Sequence, residues 1–272
     1  MKKISIYFNV LRYGIRNKYT RSHARYKTYP YSKANTIQLE DYLASSPSRD
    51  AVVFVGLKQV RHSMGVDDPF DYLNDILAKT FDTLIVPTFT PSVIKTGVFD
   101  IRNTPSENGA FSQLFMRQAD CRTMSPFKSF CIKSSRAKDI MQLQTMNDYA
   151  EGGIFEYLHS NDLVSINVGT VNPRFSTIHF CEYQGKAPYL LPRSVKVNVI
   201  GKNGLGAEDM YYYLDNKIKV KFNRNKLEKD LVNAGLITIM VINDLVVRLI
   251  SERLAFDFML DRMRKDPYYL VD

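Results

Sequence analysis

The sequence predicts an α/β fold: a single domain with a mixed, partly parallel central sheet flanked by helices, preceded by a basic N-terminal arm. Three observations predict it. Ala51–Val86 reads as strand, amphipathic helix, strand, the order that builds a βαβ unit. Helical and strand patterns continue downstream, with a short apolar strand at Leu163–Val168. The net charge of +9 is confined to one end of the chain, leaving a neutral body of ordinary globular composition.

The arm comes first. Residues 1–39 hold nine cationic side chains (Lys2, Lys3, Arg12, Arg16, Lys18, Arg21, Arg25, Lys27 and Lys33) and no Asp or Glu. Removing these nine from the 37 basic residues leaves 28, which balances the 28 acidic ones. Such segregation points to a local partner for the arm and argues against a globally basic, nucleic-acid-binding protein. Ile4, Phe8, Leu11 and Ile15 recur at helical spacing, and four tyrosines follow around Pro30. A helix of this kind packs on the body, lies on an anionic membrane surface, or meets a phosphate-bearing ligand. The arm is expected to span residues 1–35 and the folded domain residues 36–272.

In the body, Thr36–Leu43 reads as a short helix and Ala51–Val55 as a buried strand. Asp68–Lys79 is an amphipathic helix with Phe70, Leu73, Ile76 and Leu77 inward, and Thr83–Val86 is a strand stopped by Pro87. Residues 90–109 carry two prolines and two glycines and read as a long loop, which is uncommon without a function. Ala110–Arg117, Ser135–Met146 and Phe155–Leu158 read as helices, Ser194–Ile200 as a strand, and Phe222–Gly235 and Ile242–Arg264 as helices. Gly201–Gly206 fits no phosphate-loop pattern, and its Asn203-Gly204 pair marks a turn. No repeat, low-complexity tract or linker divides the body.

No run approaches the roughly 20 apolar residues of a membrane span. The basic N-terminus lacks a following small-residue cleavage site, which argues against a secretory signal. Cys121, Cys131 and Cys181 are odd in number and have no CxxC spacing, so reduced thiols in a cytoplasmic protein are expected.

The chemistry concentrates in Ser165–Gly185. The strand breaks at Gly169, Asn172 and Pro173, and a loop is expected to present Ser176, Thr177, His179, Cys181 and Glu182. Neutral imidazole is the best general base at neutral pH, and Glu182 is placed to orient the His179 ring. The structural alternative is a half-buried histidine bonded to a backbone carbonyl. His23, His62 and His159 lie among polar residues and read as surface groups. Cys181 is a poor nucleophile candidate, since its orientation toward His179 is not assured. A catalytic metal normally takes three protein ligands; His179 and Glu182 supply two, and there is no HExxH, so no metal is expected.

Four segments carry a family resemblance: TLIVPTFT (Thr83–Thr90), VFDIRNTPSENGAFSQLFMR (Val98–Arg117), CRTMSPFKS (Cys121–Ser129) and STIHFCE (Ser176–Glu182). In this order the chain resembles the aminoglycoside 3-N-acetyltransferase family, coenzyme-A-dependent enzymes that acylate an amino group on a sugar ring. The resemblance runs from about Thr36 to the C-terminus. It implies that His179 is the catalytic base, that Glu182 assists it, and that a coenzyme A thioester is the co-substrate. Asp100, on the long loop, is the candidate to bind the acceptor amine or to share in orienting His179; Arg122, Ser125 and Thr177 are further candidates on the acceptor side, and Gly56, Leu57 and Lys58 at the coenzyme. Two departures stand out. Ser125 replaces a family histidine, and Phe54-Val55-Gly56-Leu57 replaces a His-Ser-Ser-Leu stretch associated with the coenzyme.

Charge bears on the acceptor. Residues 90–130 offer Asp100, Glu107 and Asp120 against Lys95, Arg102, Arg117, Arg122 and Lys128. That balance suits an anionic acceptor, so the expected function is N-acylation of a nucleotide-linked amino sugar for surface-polysaccharide synthesis. The alternatives are aminoglycoside acetylation and a binding protein that has lost activity. Peripheral membrane contact through the arm and an oligomeric assembly are compatible with the sequence.

Overall fold

Strand β2 (Asp50–Val55) pairs in parallel with β3 (Thr83–Pro87), Val52 standing opposite Ile85. The connection between them holds two helices, α2 (Leu57–Met64) and α3 (Pro69–Thr80). Asp68 starts α3 by accepting the Phe70 and Asp71 N–H groups at 2.9 and 3.0 Å, and Pro69 fills the first helical position. Phe70, Leu73, Ile76 and Leu77 form its buried stripe. The expected strand–helix–strand unit is therefore present, with α2 as an added short helix.

The computed structural model describes residues 32–33, 39–143, 147–201, 204–215 and 221–272. Residues 1–31, the core of the basic arm, lie outside them, as do 34–38, 144–146, 216–220 and the Lys202-Asn203 centre of the expected turn. Eight strands form the main sheet. Its order is β1 (Ser32–Lys33), β10 (Ile237–Ile242), β11 (Leu245–Ser251), β7 (Val164–Val168), β2, β3, β6 (Phe130–Lys133) and β5 (Cys121–Arg122). β7, β2 and β3 run parallel at its centre, and β11 and β6 flank them antiparallel, so the sheet is mixed.

Alternate strand residues face opposite layers. Ala51, Val53, Leu84, Val86, Ile166 and Val168 pack against α1 (Leu39–Ala44), α2, α3 and α5 (Ala110–Phe115). Val52, Ile85 and Ile250 pack on the other face. There they meet α6 (Ala137–Gln142), α7 (Ile154–Ser160), α8 (Thr177–Gln184), α9 (Arg224–Asn233) and α10 (Glu252–Lys265). A second sheet of β4 (Val98–Asp100), β8 (Leu190–Gly201) and β9 (Gly204–Asp215) has its own small core of Val93, Phe99, Phe127, Val197 and Met210.

Three expectations are corrected. Residues 90–109 are not all loop: α4 (Val93–Thr96) and β4 lie within them, and β4 pairs with β8 of the second sheet. Ile242–Arg264 is not one helix. Ile237–Ile242 and Leu245–Ser251 form a hairpin around Asn243 and Asp244, both at positive φ (47° and 67°), and only Glu252–Lys265 is helical. A two-residue turn with both central residues left-handed matches strand twist, and Asn and Asp tolerate it. Finally, His179 is not on a loop but on α8.

Candidate active site

β2 and β7 run parallel and end side by side, and the chain diverges from their carboxyl ends. Gly56 N–H donates to Val168 O at 2.9 Å, and a Cβ on Gly56 would stand 2.3 Å from Gly169 O, so only glycine fits this crossing. From here β2 leads through α2 and α3 to β3 on one side. β7 leads away on the other, through Gly169 at φ 64°, to α8. Such a divergence outside the carboxyl ends is where open α/β sheets place their ligands.

The loop into α8 is tied from below. Asn167 Oδ1 accepts the Arg174 N–H at 2.6 Å, and Asn167 Nδ2 donates to Arg174 O at 2.7 Å. Ser165 Oγ donates to the same carbonyl at 3.2 Å. Glu252, wholly buried at the start of α10, then accepts the N–H groups of Ser176 and Thr177 at 3.2 Å each and the Thr177 hydroxyl at 2.5 Å. A carboxylate here satisfies N–H groups that the helix itself cannot. Burial nevertheless raises the Glu252 carboxyl above its ordinary range, against those hydrogen bonds.

Helix α8 is rotated by its apolar residues. Ile178, Phe180 and Cys181 are buried, and Phe180 stacks on Phe256 of α10 with ring centroids 5.3 Å apart. Burying a phenylalanine stabilises by about 1.5–3 kcal/mol, enough to fix which face of a short helix looks outward. That face carries His179, whose side chain keeps 39% of its surface exposed. One turn on, Glu182 is buried, and its Oε2 lies 2.7 Å from His179 Nδ1. Its other oxygen accepts the hydroxyl of buried Tyr189 at 3.0 Å.

The electrostatics suit a base. Burial acts to raise the Glu182 pKa, but the hydrogen bonds from His179 and Tyr189 and the charge of Lys128 outweigh it, so the carboxyl is held below its ordinary value. Ionised Glu182 accepts the Nδ1 proton, which leaves the Nε2 lone pair free to take another. Burial and the nearby Lys128 pull the His179 imidazole below its ordinary 6.5, against the opposing pull of Glu182. The ring is therefore neutral at pH 7.

Other expected site residues are placed differently. The Asp100 carboxylate closes its own turn, accepting the Arg102 and Asn103 N–H groups at 2.9 and 3.0 Å and the Asn103 amide at 2.9 Å. No hydrogen bond joins it to His179 among the described residues. Arg122 is buried over the Phe99 ring and donates to Thr88 O, Thr90 Oγ1 and Thr104 O at 2.5, 3.0 and 2.6 Å. It staples the 100–104 turn to the end of β3, and its donors are spent within the protein. The Thr177 hydroxyl points to Glu252 in the interior, and Ser125 is buried. Thr177 and Arg122 thus shape the site rather than line it.

Gly56, Leu57 and Lys58 open α2 at the crossing, and the Leu57 and Lys58 N–H groups have no acceptor among the described residues. Cys181, two residues from His179, faces inward toward Phe256 O and Met263 Sδ, and burial pushes its thiol pKa upward. All three cysteines are free thiols. Among the described residues no group of three His, Cys, Asp or Glu side chains is placed to hold a metal ion, and no helix is long and apolar enough to cross a membrane.

Sequence reasoning missed Tyr189 and Glu252. Tyr189 lies seven residues beyond Glu182, past the end of α8, and Glu252 lies 75 residues beyond Thr177. Neither spacing carries a local signal. It also missed Arg224, whose charge acts on the His179–Glu182 pair.

Comparison with known proteins bears on the family and the fold. Residues 59–264 match the aminoglycoside 3-N-acetyltransferase family. No curated protein sequence matches the chain. Among solved structures, AAC-IIIb in binary complex with CoASH superposes with a TM-score of 0.69 at 14% identity, covering 83% of this chain and 96% of that one. A mutant of the aminoglycoside acetyltransferase AAC(3)-IVa in complex with a gentamicin gives 0.62 at 19% identity, covering 90% and 93%. The YokD protein from Bacillus subtilis gives 0.65 at 12% identity, covering 88% and 96%. These likenesses establish the shared fold, and the family match spans most of the chain. The chain belongs to the aminoglycoside 3-N-acetyltransferase family, enzymes that acylate an amino group.

Proposed function

We propose that the protein transfers an acyl group from coenzyme A to the amine of a nucleotide-linked amino sugar, with His179 as general base. The observation that carries this reading is the Tyr189–Glu182–His179 hydrogen-bonded chain, in which two buried groups hold a neutral imidazole on the exposed face of α8. A sugar amine near pH 7 is largely an ammonium ion and attacks a carbonyl only after losing its proton. His179 Nε2 takes that proton, and Glu182 stabilises the imidazolium that results. A positioned base of this kind contributes about 10²–10⁴ in rate.

The donor thioester supplies an activated acyl group on a thiol leaving group. The start of α2 fits its phosphates: Leu57 and Lys58 offer two unspent N–H groups at a helix N-terminus, where the dipole favours anions. Gly56 lets the two strand ends approach closely enough to form that corner.

Charge favours an anionic acceptor. Lys128 and Arg224 both act on His179, and Arg174 acts on Arg224, whereas Glu182 is the acid that faces them and is already paired. A polycationic aminoglycoside would meet like charge there. The gentamicin-bound relative supports aminoglycoside acetylation as the second reading. We place the enzyme in the cytoplasm, in line with its free thiols, and assign residues 1–35 to a separate basic arm that contacts an anionic surface. The test is incubation with acetyl-CoA and a panel of nucleotide-linked and free amino sugars, reading thiol release and acetylated product by mass. Release with acetylation of a nucleotide-linked sugar supports the reading; acetylation of free amino sugars alone removes its nucleotide part.

A further inference from the structure

Helix α8 has no cap of its own. Ser176, the residue before it, is already in helical conformation (φ −75°, ψ −34°), makes no capping hydrogen bond, and keeps a buried Oγ without a partner among the described residues. Asp68 and Asn223, by contrast, cap α3 and α9 from the residue just before each helix. Isolated helices shorter than roughly 12 residues are marginal in water, and α8 is shorter still. His179 is its third residue and so stands in the first turn, the part that frays when the leading N–H groups go unmet.

The missing cap comes from α10. Glu252 Oε1 accepts the Ser176 N–H and Oε2 the Thr177 N–H, both at 3.2 Å, and the Thr177 hydroxyl donates to Oε2 at 2.5 Å. This carboxylate is not needed by its own helix, which Ser251 caps by accepting the Leu254 N–H at 3.1 Å. One turn further along α10, Phe256 stacks on Phe180, and its carbonyl oxygen faces the Cys181 thiol. Glu252 and Phe256 therefore hold α8 at residues on either side of His179 in the sequence. The imidazole is left on the outward face, against Glu182.

We propose that Glu252 is a positioning residue for catalysis, holding the first turn of α8 so that His179 meets the acceptor amine from one fixed place. The assignment rests on His179 as the base of acyl transfer and deepens that reading by naming the group that fixes the base. A reacting group misplaced by about 1 Å loses on the order of a hundredfold in rate, while substrate contacts made elsewhere are kept.

Steady-state kinetics of Glu252→Ala and Glu252→Gln test this, with acetyl-CoA and the acceptor acetylated fastest in the panel above, well below the melting temperature of each protein. Proton NMR of the His179 Nδ1–H, assigned by its loss in His179→Gln, reads the ring directly. Glu252→Ala is expected to lower kcat at least about tenfold, with KM for acetyl-CoA within about twofold of wild type. The ring proton is expected to shift or broaden. Glu252→Gln keeps an acceptor for one of the two N–H groups and is expected to recover part of the lost kcat. Should Glu252→Ala not fold, Thr177→Val takes its place, since it removes the hydroxyl bond alone; a smaller fall in kcat is expected. The proposal is overturned if the folded variant keeps the wild-type kcat, or if KM for acetyl-CoA rises while kcat holds. If the wild type acylates no acceptor, the acyltransferase reading fails and the ring proton alone decides: a signal unchanged in the variant overturns the placing of His179 by Glu252.

Discussion

His179 Nδ1 and Glu182 Oε2 lie 2.7 Å apart across one turn of α8, with the imidazole at the surface and the carboxylate buried beneath it. The contact sets the tautomer, and it makes the choice of substitution matter. Truncating His179 would strand a buried carboxylate, a change that costs stability as well as chemistry. His179→Gln keeps a donor for Glu182 but cannot accept a proton at neutral pH. Its turnover is expected to fall at least about a hundredfold with little change in melting temperature. Steady-state kinetics beside thermal melts check this; full activity would remove His179 from the mechanism.

Glu182→Gln is expected to reduce kcat less than the histidine substitution does, since the amide still bonds the ring but no longer offsets the imidazolium charge. A loss equal to or larger than that of His179→Gln would mean the roles are reversed. Steady-state kcat values of the two variants, compared at one pH, decide it.

The third prediction concerns pH. Because the His179 pKa lies below its ordinary 6.5, the neutral base persists into mildly acidic solution, and the acid limb of kcat/KM is expected below pH 6.5. The stability sign is the same. A histidine whose folded pKa is lowered favours folding above its unfolded pKa, and that contribution is lost as pH falls through the folded value. Tyr189→Phe removes the donor to Glu182 Oε1, leaves more negative charge facing the ring, and so is expected to move the acid limb upward. A hydrogen bond to a buried charged group is worth about 1.5–3 kcal/mol, so this variant should also melt earlier. A pH profile identical to wild type would reduce Tyr189 to packing alone.

How much of this was legible in the sequence depends on how local each cause is. The central strands and α3 were, because apolar runs, the Asp68 cap and Pro69 act within a few residues. The β10–β11 hairpin was not. Leu245–Ile250 is buried throughout, and an all-buried strand has the same apolar run as a buried helix. The Asn243-Asp244 turn was the available signal. His179 and Glu182 were found by residue type, but their geometry was misjudged, since Gly169 and Pro173 suggested that the loop continues. It stops at Ser176, where Glu252, far along the chain, supplies the acceptor that starts the helix. Arg122 was expected on the acceptor side, and nothing local in the sequence signals its burial or its bonds to Thr88, Thr90 and Thr104.

Cys181 faces the core, away from His179, and its raised pKa keeps it a thiol. Direct transfer from thioester to amine is therefore the expected route. Cys181→Ser is expected to retain turnover within about threefold, although a hydroxyl buried among apolar groups costs roughly 1–3 kcal/mol of stability. Intact-mass analysis during turnover should show no acyl adduct; finding one on Cys181 would establish a covalent route.

Acceptor choice tests the account most directly. Acetyl-CoA is supplied with an equimolar mixture of a nucleotide-linked amino sugar and an aminoglycoside, and both products are followed by mass spectrometry. The cations around His179 predict that kcat/KM for the nucleotide-linked sugar exceeds that for the aminoglycoside by at least about tenfold, roughly 1.4 kcal/mol in transition-state binding, with the margin shrinking as salt rises. Faster acetylation of the aminoglycoside would contradict the account.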